Sequence, residues 1–279
     1  MTPTAWDRFD LSGQTALITG GGGLLGPEHG AGLARCGARI ILVDVNPAGL
    51  ERSRARVLEQ VPSADVRTDT VDVTVESALM ALRDALESAG TPIDILVNNA
   101  AVNPAMDKHA SGLTGTVEDY DMAEWDRELK VGITGTFLCC KVFGAAMARR
   151  GHGVIINIAS DLAIIAPDQR LYAESGRMED VRNFKPIGYP VVKAAMLGLS
   201  RYLSTYWAHK GVRVNCLLPG GVRTADVPDH LVRNMEYRVP LGRWADRTDY
   251  QGAVAFLASS ASAFMTGQLL VMDGGRSAW

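Results

Sequence analysis

The sequence runs to 279 residues, with 28 basic and 31 acidic side chains and a formal charge of −3 when the histidines are neutral. At 47 % hydrophobic and 21 % charged residues it is not expected to be disordered, and its near-neutral balance argues against attraction to nucleic acid or an anionic membrane. No apolar run approaches the roughly 18 residues of a spanning helix, and the polar residues 1–14 lack a signal peptide's apolar core, so a cytoplasmic protein is expected.

Along the chain, short β-branched runs alternate with longer amphipathic ones. Residues 15–19 (TALIT) read as a strand, followed by four glycines and a helical stretch to about Cys36. Residues 38–45 (ARIILVDV) form the second strand and 47–61 the second helix. The strand pattern returns at 66–73, 93–97, 153–158, 211–217 and 268–272. Helical segments fall at 75–88, 123–149, 189–209 and 248–259. Continuous apolar strands separated by helices of this length indicate a parallel sheet covered on both faces. With seven strands and no Pro/Gly/Ser linker, the expectation is one α/β, doubly wound domain over residues 1–279. Residues 103–120 and 166–188, rich in Pro, Gly and charge, read as surface insertions. The four cysteines make no metal-like spacing and are read as free thiols.

The first strand runs into Thr19-Gly20-Gly21-Gly22-Gly23-Leu24-Leu25-Gly26. Glycines between a strand and a helix let the backbone approach a pyrophosphate, whose charge then sits at the helix N-terminus. Asp44 ends the second strand, where a carboxylate accepts hydrogen bonds from the adenosine ribose and repels a 2′-phosphate, so the cofactor expected is NAD. Asp72 is placed to meet the adenine, with a turn cap as its other reading. Hydride transfer at a carbinol carbon needs a proton moved on the oxygen. Tyr189 is expected to move it, because Lys193 lies one helical turn on and its charge favours the phenolate. Tyr202 and Tyr206, further along that helix, are read as packing residues, and Tyr172 lacks a lysine partner.

Together these segments resemble the compact single-domain branch of the short-chain dehydrogenase/reductase family, from about residue 11 to 275. Thr19–Gly26 resembles its T-G-x-x-x-G-x-G, Asn98-Asn99-Ala100-Ala101 its N-N-A-G, and Tyr189 to Lys193 its Y-x-x-x-K. Pro219-Gly220-Gly221-Val222-Arg223-Thr224 resembles P-G-x-V-x-T, and Asp273-Gly274-Gly275 the closing D-G-G. The resemblance implies a Rossmann-like fold and catalysis by Ser160, Tyr189 and Lys193. It implies a cofactor site of Gly20, Gly22, Gly23, Leu24, Leu25, Gly26, Asp44, Asp72, Val73, Asn99, Ala100, Tyr189, Lys193, Pro219, Gly220, Val222 and Thr224. It also implies a homotetramer joined through paired helices and the final strand.

Two departures stand out. Leu24 replaces the usual middle glycine, and Gly132 replaces a helix asparagine that supports a water chain to the active-site lysine. Gly132 motivates a second reading, an NAD-binding sensor or partner subunit with weak catalysis; a third keeps the fold for a sugar epimerase or dehydratase. Ser160 and Tyr189 are 29 residues apart, wider than the family usually allows, so 166–188 is an insertion on the crevice side. Its polar residues suggest a small alcohol or carbonyl substrate such as a sugar, sugar acid or polyol. Arg170, with Lys108 or His109, is the candidate for an anionic group on it. Residues 159–172 further resemble a subset associated with bacterial surface-sugar biosynthesis.

Overall fold

Strands apolar on both faces require cover on both sides, and the chain provides it by alternating strand and helix. The computed structural model describes residues 4, 6–103 and 113–279. The strands are β1 (Thr15–Thr19), β2 (Arg39–Asp44), β3 (Val66–Thr70), β4 (Ile95–Asn98), β5 (Gly153–Ile158), β6 (Val212–Pro219) and β7 (Leu269–Met272). All pair in parallel, in the order β3-β2-β1-β4-β5-β6-β7. The order reverses between β1 and β4, and that switch point opens a crevice beyond the carboxyl ends of the strands. The result is the doubly wound, Rossmann-like sheet that the alternation predicts.

The helices are α1 (Gly26–Arg35), α2 (Pro47–Gln60), α3 (Glu76–Ser88), α4 (Met122–Arg150), α5 (Gly188–Trp207), α6 (Asp229–Arg238) and α7 (Gln251–Ala258). Neighbouring strand residues point to opposite faces. Ile18, Ile40 and Ile156 join one core with Leu33 of α1 and Leu257 of α7, while Leu17, Ile41 and Ile155 join the other with Phe143 of α4 and Trp207 of α5. Each such side chain contributes about 1.5–3 kcal/mol by leaving water.

Three differences from the sequence reading have physical causes. Helix α6 was not expected, because its apolar residues Leu231 and Met235 pack beneath Leu171 of the insertion and not on the sheet. Strand β3 stops at Thr70, which leaves Asp72 and Val73 beyond it. Helix α4 is long and apolar enough to cross a membrane by length and composition, contrary to expectation, yet more than half of its most apolar stretch is buried in the fold. It is α-helical at both ends and in the middle, with π-helical turns at Lys130–Gly135 and Cys140–Gly144.

The two insertions meet. Thr114 donates its amide to Arg182 and accepts one from Phe184, both at 2.9 Å, which joins the loop after β4 to the loop after β5. Lys108 and His109 lie outside the described residues.

Candidate active site

At the end of β1 the chain turns at Gly20, whose φ of +61° is left-handed backbone that glycine adopts without strain. A Cβ there would lie 2.7 Å from Ala100 Cα, so the turn is pressed against the end of β4. Asn99 fastens it. Its side-chain amide donates to the carbonyls of Thr19 and Gly20 at 3.0 Å, and Thr19 Oγ1 accepts from the amides of Asn99 and Ala100. Leu24 is exposed and Leu25 packs on the first core, so the family's middle glycine is replaced without crowding the turn. Helix α1 opens at Gly26 with Pro27 in its first turn, and its free amides and positive dipole end lie beside the glycines.

Asp44 closes β2 against the same turn, its carboxylate accepting from the amides of Gly22 at 3.1 Å and Asn46 at 3.0 Å. A Cβ on Gly22 would lie 3.2 Å from Asp44 Cγ, so Gly22 and Gly23 leave the backbone bare where a dinucleotide needs close approach. These residues fit such a cofactor. Asp72 is exposed and caps a turn, accepting from Thr74 at 2.8 Å, one residue past Val71, whose amide bonds Asp44 O at 3.0 Å. The side chain of Val73 is buried in the second core against α4. Across the crevice, Pro219 ends β6 and Gly220 bonds Met272 O at 2.9 Å, while Val222 bridges to Ala245 and Thr224 O accepts from Val227.

Ser160 follows β5 as the cap of a short helical turn, buried, its Oγ accepting from Leu162 N at 3.2 Å and donating to Asp161 Oδ1 at 2.9 Å. Tyr189 and Lys193 occupy the first turns of α5 one turn apart, as their spacing requires. Lys193 Nζ donates to Ile158 O at 2.7 Å and stands 5.6 Å from the centre of the Tyr189 ring. Ser160 stands close enough to the Tyr189 phenol to act on its ionisation, so the three expected catalytic residues meet in one place. A buried chain beneath them, Asn98 to Asn157 at 2.8 Å and Asn157 to Ser200 at 2.7 Å, fixes α5 on the sheet.

The electrostatics differ from the expectation that Lys193 lowers the Tyr189 pKa. Burial pushes the phenol up to about 12, the nearby Ser160 hydroxyl opposes it, and the charge of Asp161 adds to the rise. Desolvation also brings the Lys193 ammonium down to about 8, which weakens the cation meant to favour phenolate. A second ammonium lies closer: Lys185 Nζ, from the insertion, stands 4.3 Å above the Tyr189 ring and 2.6 Å from Asn103 Oδ1. Burial brings it, too, down to about 8, with Glu128 and Asp161 opposing. Glu128 of α4 is buried, accepts from the Tyr120 hydroxyl at 3.1 Å, and has one carboxylate oxygen without a partner. A Cβ on Gly188 would overlap that carboxylate, which explains glycine beside Tyr189.

Sequence reasoning missed Lys185, Glu128 and Asp161. Lys185 was visible only as one of many charges in the insertion. Arg170 is not brought to the centre: its guanidinium is exposed and forks onto Asp168 at 2.8 and 2.9 Å. At Gly132 a Cβ would overlap Val192 Cγ1, so the place of the family's asparagine side chain is filled from α5.

A family model described as enoyl-(acyl carrier protein) reductase matches residues 25–277. The chain is 32 % identical to a galactitol 2-dehydrogenase (L-tagatose-forming) of Cereibacter sphaeroides, over 97 % of this chain and 98 % of that one. It is 32 % identical to a D-threitol dehydrogenase of Mycolicibacterium smegmatis, over 96 % and 94 % of the two chains. A gluconate 5-dehydrogenase from Burkholderia cenocepacia J2315, solved with NADP and tartrate, superposes with a TM-score of 0.84 at 29 % identity, covering 99 % of this chain and all of that one. The narrower likeness to surface-sugar enzymes draws no support from these relatives.

Proposed function

The chain belongs to the short-chain dehydrogenase/reductase family, and from that premise we propose that it is an NAD-dependent dehydrogenase of a polar secondary alcohol such as a polyol, sugar or sugar acid. An oxidoreductase of CH–OH groups is what the family and its sugar-alcohol and sugar-acid relatives support. The observation that carries the reading is the meeting of Ser160, Tyr189 and Lys193 at the mouth of the crevice. In oxidation Tyr189 takes the hydroxyl proton, Ser160 holds the same oxygen, and Lys193 supports the phenolate. A bound nicotinamide dinucleotide supplies the hydride acceptor and, when oxidised, a positive ring that favours the phenolate against burial.

Asp44 is the reason for proposing NAD, since a carboxylate beside the glycine turn repels a 2′-phosphate. The related gluconate 5-dehydrogenase holds NADP, so the choice rests on this residue. Lys185 over the Tyr189 ring, with Glu128 within reach of its charge, supports a substrate rich in hydroxyl groups or carrying a carboxylate. The alternative of a weakly catalytic NAD-binding subunit was motivated by Gly132. Val192 fills that space and Lys185 adds a cation at Tyr189, which favours the enzyme.

The deciding experiment follows NADH absorbance with NAD and NADP in parallel against galactitol, threitol, gluconate and simple secondary alcohols. Turnover with NAD is expected on the polar members. Tyr189→Phe should lower kcat by about 10²–10⁴-fold while NADH affinity stays within about twofold, because the phenol moves a proton and carries little cofactor binding. Undiminished turnover in that variant overturns the role of Tyr189, and turnover with NADP alone overturns the cofactor choice.

A further inference from the structure

Directly after Ser160 stands Asp161, only 2 % exposed. A buried carboxylate is costly unless paired and hydrogen-bonded. Both of its oxygens are engaged: Oδ1 accepts from Ser160 Oγ at 2.9 Å and Leu162 N at 2.8 Å, and Oδ2 from Arg276 Nη1 at 2.8 Å. Arg276 is buried in the pair and arrives from 115 positions later in the chain. A built turn delivers it. Gly274 and Gly275 take φ of +68° and +89°, and the Asp273 carboxylate accepts from the amides of Gly275 at 2.9 Å and Ser277 at 2.7 Å. Trp279 donates its indole N–H to Arg238 O at 3.2 Å, and the Arg238 guanidinium pairs with Asp168 of the insertion.

Ser160 has one hydroxyl proton and a carboxylate only accepts, so that proton points at Asp161. The same Oγ accepts from Leu162 N–H, so two contacts fix the hydroxyl. We propose that the Asp161–Arg276 pair belongs to the active centre: it orients the Ser160 hydroxyl and holds a compensated negative charge beside Tyr189, which makes residues 273–279 a positioning element for catalysis. This rests on the dehydrogenase reading above.

The groups facing Tyr189 set the sign. Ser160 and Asp161 come from the turn after β5, Lys193 from its own helix, Lys185 and Tyr172 from the insertion, and Glu128 from α4 through Lys185. The negative charge of Asp161 opposes the phenolate, and Arg276 offsets it. Removing the arginine charge strengthens that opposition, and removing the carboxylate charge relieves it.

The test uses the full chain, with and without NAD, carrying tyrosine labelled with ¹³C at the phenol carbon; the Tyr189 resonance is identified by its loss in Tyr189→Phe. The ionisation midpoint should fall by about one pH unit in Asp161→Asn and rise by about one in Arg276→Met. Arg276→Lys should stay near wild type. The double variant Asp161→Asn with Arg276→Met, which buries no bare charge, should lie below Arg276→Met alone and replaces that variant if it fails to fold. Midpoints unchanged in Asp161→Asn and in Arg276→Met, or in the double variant that replaces it, overturn the proposal. The resonance reports without turnover, so a wild-type chain inactive on every alcohol overturns the dehydrogenase reading and leaves this result standing.

Discussion

Position 132 shows how one residue carries information that its own identity does not. A sequence comparison registers a missing asparagine; the structure registers Val192 Cγ1 in the volume where any Cβ would go. The two helices approach closely because one contributes no side chain, and Thr136 Oγ1 bonds the Gly132 carbonyl at 2.7 Å within the π-helical turn. Reinstating the side chain as Gly132→Asn should therefore lower activity, since it pushes α4 from the turn of α5 that holds Tyr189 and Lys193. Overpacking of this kind costs about 1–3 kcal/mol. Thermal unfolding and kcat measured together check this, and Val192→Ala should recover part of both losses. The Tyr189–Lys193 spacing was legible as a helical turn. The phenol's rise to about 12 was not, because desolvation and the charge of Asp161 depend on which chain segments cover the ring.

Helix α1 illustrates a constraint at the scale of an element. Its sequence starts with the glycine and proline that suit a helix N-terminus, and nearly the whole helix is buried between β1, α2 and α7. His29 is enclosed with neither ring nitrogen hydrogen-bonded, and burial brings its pKa down to about 4, against a small opposing pull from Glu28. The folded state thus resists a proton that the unfolded chain accepts near pH 6.5. Stability from this group is constant above that pH and is lost as pH falls from 6.5 toward 4. By pH 5 the loss amounts to about 2 kcal/mol. Urea midpoints at pH 7 and pH 5 should show it in the wild type, with a smaller drop in His29→Leu. An equal drop in both proteins would assign acid sensitivity elsewhere. Helix α6 teaches the converse, since its core is a single layer under the insertion and its ten residues are mostly polar.

On the scale of the whole molecule, Tyr202 and Tyr206, read from the sequence as packing residues, lie outside the core of this chain. They stack on each other at 5.8 Å on the outside of α5 and are 65 % and 53 % exposed, with Phe137 of α4 exposed as well. Exposed aromatics on helix faces are costly in water and suit an interface. They support the tetramer that the family resemblance implies. Light scattering should give the mass of four chains, and Tyr202→Glu with Tyr206→Glu should reduce it without loss of helical signal. A wild-type monomer would remove the proposed role of this face.

The sequence by itself determined the alternation of strand and helix, the glycine turn with Asp44, and the helical spacing of Tyr189 and Lys193. These are local: the periods of strand and helix and the freedom of glycine are set by covalent geometry over a few residues. Tertiary structure alone decided that Lys185 reaches the Tyr189 ring, that Val73 turns into the core, that Arg170 spends its charge on Asp168, and that Arg276 closes on Asp161. Burial and Coulomb interaction depend on distance in space, and the two insertions and residues 273–279 come to the neighbourhood of Tyr189 only once the sheet order has placed them at the same end.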